Sequence, residues 1–321
     1  MAELMTEPIE KYGLSKNARP KQLFSRIGIV GCGTVGQELT IMASKHGIEV
    51  VFLEVSEPVI RHAFEEIKKQ LDHEINHWGL TPGEKNAILS RIKGTVDYND
   101  FASCELVIEA VKSKQRESSF ELRKDVFRNI EKAVSRDCII ATNSSTIVVT
   151  ELASELEYSD RCVSLHVSTT APGASVVEIA RSLHTSDEAY NKVITFVKML
   201  DKVLIPVTES PGLVSVRLFV VILNEACEAL MEGVSSMENI DLAMRSSFNM
   251  PLGPFEFADK IGLDKIIRWM ENLYTEFGST KYIASPLLKK LVRANRLGRI
   301  TGWGFYEYDA EGNKKLEDTC C

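Results

Sequence analysis

Three glycines, Gly31, Gly33 and Gly36, stand in the spacing G-x-G-x-x-G directly after the apolar run RIGIV. An acid, Glu54, closes the next apolar run about twenty residues on. A glycine pattern alone is weak, because glycine punctuates loops for many reasons. Here it sits in the order strand, turn, helix, strand. Gly31 permits a tight turn, Gly33 lets backbone N–H groups approach a pyrophosphate, and Gly36 lets the helix pack on the sheet. The helix N-terminus adds the partial positive charge that phosphates need. Glu54 is placed to accept from ribose hydroxyls and would repel a 2′-phosphate. Gly31, Gly33, Thr34, Val35 and Gly36 with Glu54 therefore read as a cradle for NAD rather than NADP; the plain alternative is a tight turn with no ligand.

A second group of residues has the types needed for proton and hydride chemistry. His166 ends the run RCVSLH, and Glu178 lies in SVVEIA, the next strand after the Pro172-Gly173 turn region. Neighbouring strands bring such side chains within hydrogen-bond reach. An imidazole held by a carboxylate on one nitrogen is more basic on the other, which suits it to take a proton from an alcohol as hydride leaves carbon. A solitary histidine of this kind is more often half-buried in a structural hydrogen bond; Glu178 and the glycine turn are what favour chemistry. Asn143 and Ser145, in ATNSSTI, follow a strand end, where ligands of open α/β sheets gather. Asn-Ser-Ser-Thr is equally an ordinary turn and capping sequence. Glu109, inside the apolar run LVIEAV, would be costly there without a partner.

The elements that must hold these residues follow from periodicity. Apolar runs at RIGIVG, EVVFLEV, GTVDY, ELVIEAV, CIIATN, RCVSLHV, SVVEIAR and KVLIPVTE predict strands. Helices are predicted at VGQELTIMASKHG, as a pair between Pro58 and about Lys93 with a turn at Thr81-Pro82-Gly83, from Phe120 to Val134, and from about Ser186 to Leu200. The rhythm changes at Glu209-Ser210-Pro211-Gly212, after which the periodicity is helical, beginning with the long apolar stretch Leu213 to Met231. The expected architecture is α/β: an N-terminal extension over 1–24, a Rossmann-type, mostly parallel sheet domain over 25–208, and an all-helical C-terminal domain over 209–321.

Composition narrows the function classes. The 321 residues exceed the usual size of one core, and 44% hydrophobic with 26% charged residues is the balance of a soluble globular protein. A formal net charge of −7 argues against nucleic acid as the main partner. No apolar run approaches roughly 18 residues, so no membrane span is expected. Cys32, Cys104, Cys138, Cys162, Cys227, Cys320 and Cys321 show no C-x-x-C spacing, so neither a metal site nor a disulfide framework is indicated, and a reducing cytoplasm is the expectation.

From about residue 25 to residue 308 the chain resembles the L-3-hydroxyacyl-CoA dehydrogenases. GCGTVG, LVIEAV, ATNSSTI, the LH…VVEIA pair, ESPGLVSVRL, MPLGPFEFADKIGLD and RITGWGFYEY carry the resemblance. It implies a two-domain NAD enzyme that dimerises through its helical domain and interconverts 3-hydroxyacyl-CoA and 3-ketoacyl-CoA, with fatty acid metabolism as the setting. His166 and Glu178 match the family's catalytic dyad, Ser145 its substrate-oxygen partner, Asn143 a contact to the nicotinamide ribose, and Glu109 a glutamate near the nicotinamide. The family's cofactor-contacting lysine corresponds to Arg123 or Lys124, because the connection before them is about five residues longer here. Arg61, Lys68 and Lys69 lie where the family contacts CoA phosphates, although Glu65 and Glu66 among them equally make a solvated face of ordinary ion pairs. Phe248, Met250 and Phe255 are candidates for the acyl pocket or, more simply, for core.

Two segments depart from the pattern. Where the family reads H-F-F-N-P, this chain reads His166-Val167-Ser168-Thr169-Thr170, with Thr169 at the asparagine. Where it reads P-G-F-I-V-N-R, this chain has Pro211-Gly212-Leu213-Val214-Ser215-Val216-Arg217, with Val216 at an asparagine that helps bind substrate. Valine neither donates nor accepts, and losing one polar contact to developing charge commonly costs about 10²- to 10³-fold in rate. Ser215 and Thr169 are candidate substitutes. The departures keep two alternatives open: a dehydrogenase of a non-CoA hydroxy acid, and a catalytically weak dinucleotide-binding homologue.

Overall fold

The computed structural model describes residues 24–77, 79–112, 116–167, 176–309 and 311–315. Most of the N-terminal extension, Ser168 to Thr170, the Pro172-Gly173 turn, Cys320 and Cys321 lie outside them.

Eight strands form one sheet in the order β3-β2-β1-β4-β5-β6-β7-β8. Along the chain these are β1 (Arg26–Val30), α1 (Thr34–Lys45), β2 (Glu49–Leu53), α2 (Glu57–Asn76), α3 (Pro82–Leu89), β3 (Ile92–Thr95), β4 (Leu106–Glu109), α4 (Arg116–Ala133), β5 (Ile139–Thr142), α5 (Val149–Ala153), β6 (Cys162–Val167), β7 (Val176–Arg181), α6 (Asp187–Met199) and β8 (Val203–Val207). Only the β6–β7 pair is antiparallel. The central strands are uninterrupted apolar runs because helices cover the sheet on both sides, with one buried cluster on each face. Pro206 is tolerated because β8 is an edge strand, where a missing N–H breaks no ladder.

The third strand differs from the GTVDY expectation. It begins at Ile92 and stops at Thr95, because Asp97 turns the chain: its Oδ1 accepts the Asn99 N–H at 2.9 Å and opens a short 3-10 turn.

Beyond β8 the chain is helical: α7 (Ser215–Met231), α8 (Met237–Phe248), α9 (Pro254–Ile261), α10 (Leu263–Phe277) and α11 (Pro286–Arg293). Among the described residues, the later ladder contacts are isolated bridges near Trp303 and Tyr308. The third apolar cluster lies wholly within Val216 to Tyr308. Its polar seam is built from two buried acids. Asp241 accepts the Phe255 and Glu256 N–H groups, and Asp259 accepts those of Phe305 and Tyr306, tying the C-terminal turn to α9.

Candidate active site

The glycine turn has the geometry its spacing implies. Gly31 has φ +92°, and a Cβ there would come within 2.9 Å of the Val111 Cα. A Cβ on Gly36 would lie 2.0 Å from the Gly31 carbonyl oxygen, so α1 can approach β1 only with glycine at that position. At Gly33 a Cβ would meet nothing within 4 Å. That opening borders a cavity of about 480 Å³ between the sheet's strand ends and the helical layer, and Gly33, Thr34 and Val35 line it. Glu54 leaves the end of β2 and accepts the Cys32 N–H at 2.6 Å and its neighbour Val55 N–H at 3.2 Å, so its carboxylate is held beside the turn.

At the other end of the cavity the β6–β7 register places His166 directly opposite Glu178. His166 Nδ1 lies 3.1 Å from Glu178 Oε2. The same carboxylate receives the first turn of α7: Val214 N–H and Ser215 N–H donate to Oε1 at 2.9 and 3.0 Å, and Ser215 Oγ–H donates to Oε2 at 2.6 Å. Burial raises the carboxyl pKa, but the hydrogen bonds from His166 and Ser215 outweigh it and bring the group down to about 2. Glu178 is therefore ionised at neutral pH and shares its two oxygens between the imidazole and a helix N-terminus.

The Asn143 to Thr146 segment is fixed on several sides. Asn143 Oδ1 accepts the Val167 N–H at 2.9 Å, and the Ser145 carbonyl accepts the Gly212 N–H at 2.7 Å. Thr146 Oγ1 accepts from Asn272 of α10 at 2.8 Å. Asn143, Ser145 and His166 all line the cavity.

Two family models cover almost the whole described chain: the 3-hydroxyacyl-CoA dehydrogenase NAD binding domain over residues 26–210, and the C-terminal domain of the same family over residues 212–308. The chain belongs to the 3-hydroxyacyl-CoA dehydrogenase family. It is 35% identical over 284 residues to the 3-hydroxybutyryl-CoA dehydrogenase of Clostridioides difficile, covering 88% of this chain and 99% of that one. Among solved structures it is similar to M. tuberculosis FadB2, with a TM-score of 0.85 at 28% identity over 89% of this chain and 99% of that one. It is also similar to the (S)-3-hydroxybutyryl-CoA dehydrogenase PaaH1 from Ralstonia eutropha, with a TM-score of 0.80 at 36% identity over the same shares of the two chains.

This 3-hydroxyacyl-CoA dehydrogenase family member is an oxidoreductase whose cofactor is NAD, and the residues present fit the group. The turn leaves open space only at Gly33, Glu54 offers a carboxylate for the ribose diol, and the buried Nε of Arg123 has no partner among the described residues.

Several expectations are corrected within this dehydrogenase. Glu109 is fully buried beneath the cavity rather than on its surface. Its carboxylate accepts from Arg123, from Val111 N–H at 2.7 Å and from Thr142 Oγ1 at 2.7 Å, so the partner its burial requires is supplied by the protein, and it borders the cavity through Arg123 and Val111. Arg123 lines the cavity and also donates to the Val111 carbonyl at 2.8 Å, whereas Lys124 pairs with Glu155 at 2.7 Å and is not at the cavity. Ser215 lines the cavity beside Val216, but its hydroxyl proton is donated to Glu178, which leaves it only as an acceptor; Val216 itself lines the cavity with an apolar side chain.

Of the aromatic candidates, Phe255 is core and Phe248 is 70% exposed at the end of α8. Neither of these nor Met250 is at the cavity, whose apolar wall includes Phe219, Phe257, Ile261 and Trp269. Lys68 and Lys69 form exposed i,i+3 pairs with Glu65 and Glu66 at 2.9 and 2.6 Å, and with exposed Arg61 they lie outside the cavity. Among the described residues there is no cluster of His, Cys, Asp or Glu that could hold a metal, no helix long and apolar enough to cross a membrane, and five free, buried cysteines.

Proposed function

We propose that this dehydrogenase interconverts a 3-hydroxyacyl-CoA and the corresponding 3-ketoacyl-CoA, with His166 as general base, Glu178 as its orienter and Ser145 as hydrogen-bond partner of the substrate oxygen. The observation that carries the reading is the His166–Glu178 pair at the rim of a cavity that also holds Ser145 and the glycine turn. The bound cofactor supplies the hydride acceptor in oxidation and the donor in reduction. Everything else is the work of side chains. With Nδ1–H donated to Glu178, the lone pair on Nε2 is free to take the C3 hydroxyl proton as hydride leaves that carbon. Glu178 stabilises the imidazolium that results. Ser145 Oγ holds the C3 oxygen in line, and in the reverse direction His166 returns the proton to the new alcohol.

Gly31, Gly33, Thr34, Val35 and Gly36 form the proposed pyrophosphate cradle, with Glu54 on the adenosine ribose and Asn143 on the nicotinamide ribose. The reading includes a dinucleotide-binding domain over 25–208, a helical domain over 209–321, and a cytoplasmic homodimer formed through the latter. Val214, Leu218 and Ile222, one turn apart on the outer side of α7, are exposed, which supports that face as the dimer contact.

Val216 favours a second reading, in which the same machinery acts on a hydroxy acid without CoA. A structure at 26% identity and TM-score 0.72 is described as a diketoreductase acting on dicarbonyl compounds. NADH oxidation with acetoacetyl-CoA compared with free acetoacetate separates the two: the first reading requires the thioester to have the higher kcat/KM, and no advantage for it selects the second.

A further inference from the structure

Helix α10 has two working faces. Leu263, Ile266, Met270 and Leu273 are buried in the helical core, while Asp264, Lys265, Arg268, Trp269 and Asn272 line the cavity. Asn272 marks the catalytic end through its bond to Thr146. Lys265 lies seven residues earlier, roughly 10 Å back along the axis at about 1.5 Å per residue. There it faces the start of α1. Glu38, one turn into α1, acts electrostatically on both Lys265 and Lys260, and Gly33 and Thr34 close the same cavity.

Of the other cations on this wall, Arg268 pairs with Asp264 at 2.8 Å and Arg123 with Glu109, while Lys112 and Lys260 add further positive charge to the same lining. Lys265 has no ion-pair or hydrogen-bond partner among the described residues; its Nζ lies 5.0 Å from the centroid of the Trp269 ring. Burial, with Arg268 and Lys112 as like-charged neighbours, lowers its pKa to about 8. Asp264 and Glu38 pull the other way, but burial and the like charges prevail, and an ammonium so placed gains from an added anion. The cavity brings that ammonium and the N-terminus of α1 to one space, and both favour the same kind of ligand.

We propose that Lys265 is a phosphate ligand, reaching from the helical layer across the cleft to the pyrophosphate of the dinucleotide held at Gly33 and Thr34. The cofactor is then gripped from both sides, by backbone N–H groups of the glycine turn and by a side chain of α10. This rests on NAD binding at the glycine turn and is independent of the acyl substrate. The phosphates of a CoA thioester carry the same chemistry, so the test must tell the two sources apart.

Lys265→Met keeps the apolar stem and removes the charge. NADH and ADP-ribose titrations of the native protein and the variant, by fluorescence and calorimetry, are expected to show binding weakened about ten-fold or more, the range for a charge-assisted hydrogen bond. The difference should shrink as salt rises, Lys265→Arg should restore most of the affinity, and Lys290→Met, an exposed lysine on α11, should change nothing. Unchanged NADH and ADP-ribose affinity in Lys265→Met overturns the proposal. A raised KM for acetoacetyl-CoA but not for acetoacetyl-pantetheine, with NADH binding intact, also overturns it and moves the lysine to CoA. Failure of the native protein itself to bind NADH would strike the cofactor assignment instead.

Discussion

Glu178 holds His166 Nδ1 at 3.1 Å and, with the same carboxylate, takes the hydroxyl of Ser215 at 2.6 Å, so one acid joins the proton-transfer residue to the first turn of the helical layer. The imidazole orientation and the α7 N-terminus therefore share a single side chain. Altering it should disturb catalysis and stability together.

Glu178→Gln tests that linkage. The amide removes the charge that stabilises an imidazolium and turns an N–H₂ toward donors. Turnover should fall by about 10²-fold or more, and unfolding free energy by about 1–3 kcal/mol, the cost of leaving buried donors unsatisfied. Kinetics and urea denaturation on one preparation check both. Lost turnover with full stability would mean that the α7 contacts are incidental.

The pH dependence of stability has a defined sign. The Glu178 carboxyl is held at about 2, below its unfolded value, so its contribution is fully present above the ordinary carboxylate range and is lost as pH falls toward 2. The shift corresponds to a contribution on the order of 3 kcal/mol. Asp259 behaves oppositely. Burial pushes its carboxyl up to about 6, against opposing hydrogen bonds from Tyr306, Phe305 and Tyr308, so its contribution is present below the ordinary carboxylate range and is lost as pH rises through 6. Denaturation curves from pH 3 to pH 7 should lose their acid-side slope in Glu178→Gln. An unchanged slope would show that other carboxylates set it.

The glycines make separable predictions. Gly33→Ala places a methyl in open space, so the melting temperature should hold while NADH affinity falls. Gly36→Ala drives its methyl into the Gly31 carbonyl at 2.0 Å, so both should fall. Thermal melts paired with NADH titrations distinguish the two, and equal behaviour of the variants would contradict the cradle at Gly33.

Glu54→Ala should narrow the preference for NADH over NADPH, because the carboxylate that accepts from a ribose diol also repels a 2′-phosphate. The measured quantity is the ratio of the two dissociation constants. A ratio unmoved by the substitution would leave Glu54 as no more than the partner of the Cys32 N–H.

Much of this site was legible in the sequence because its residues sit at strand ends. Gly31, Asn143 and His166 each terminate or follow a run whose apolar character announces a buried strand, and strand ends converge on one edge of the sheet. The roles that were not legible depend on contacts distant in sequence. Ser215 looked like a substitute for a substrate ligand, yet its hydroxyl is taken by a strand residue 37 positions earlier. Glu109 needed a partner inside its apolar strand, and the sequence did not say that Arg123 and Thr142 would supply it. Phe248 has the hydrophobicity of a pocket residue and none of the burial. One missed signal was available: Asp264, Lys265, Arg268 and Asn272 recur at helical spacing opposite an apolar stripe, marking a polar face that had to meet either solvent or a site.

The most direct test of the central claim is NADH oxidation with acetoacetyl-CoA by the native protein and by His166→Ala, with NADH saturating for each. The account predicts ready turnover by the native protein and a fall of about 10²- to 10⁴-fold in the variant, the range for loss of a positioned general base, with NADH affinity unchanged. Equal turnover by the two proteins would contradict it.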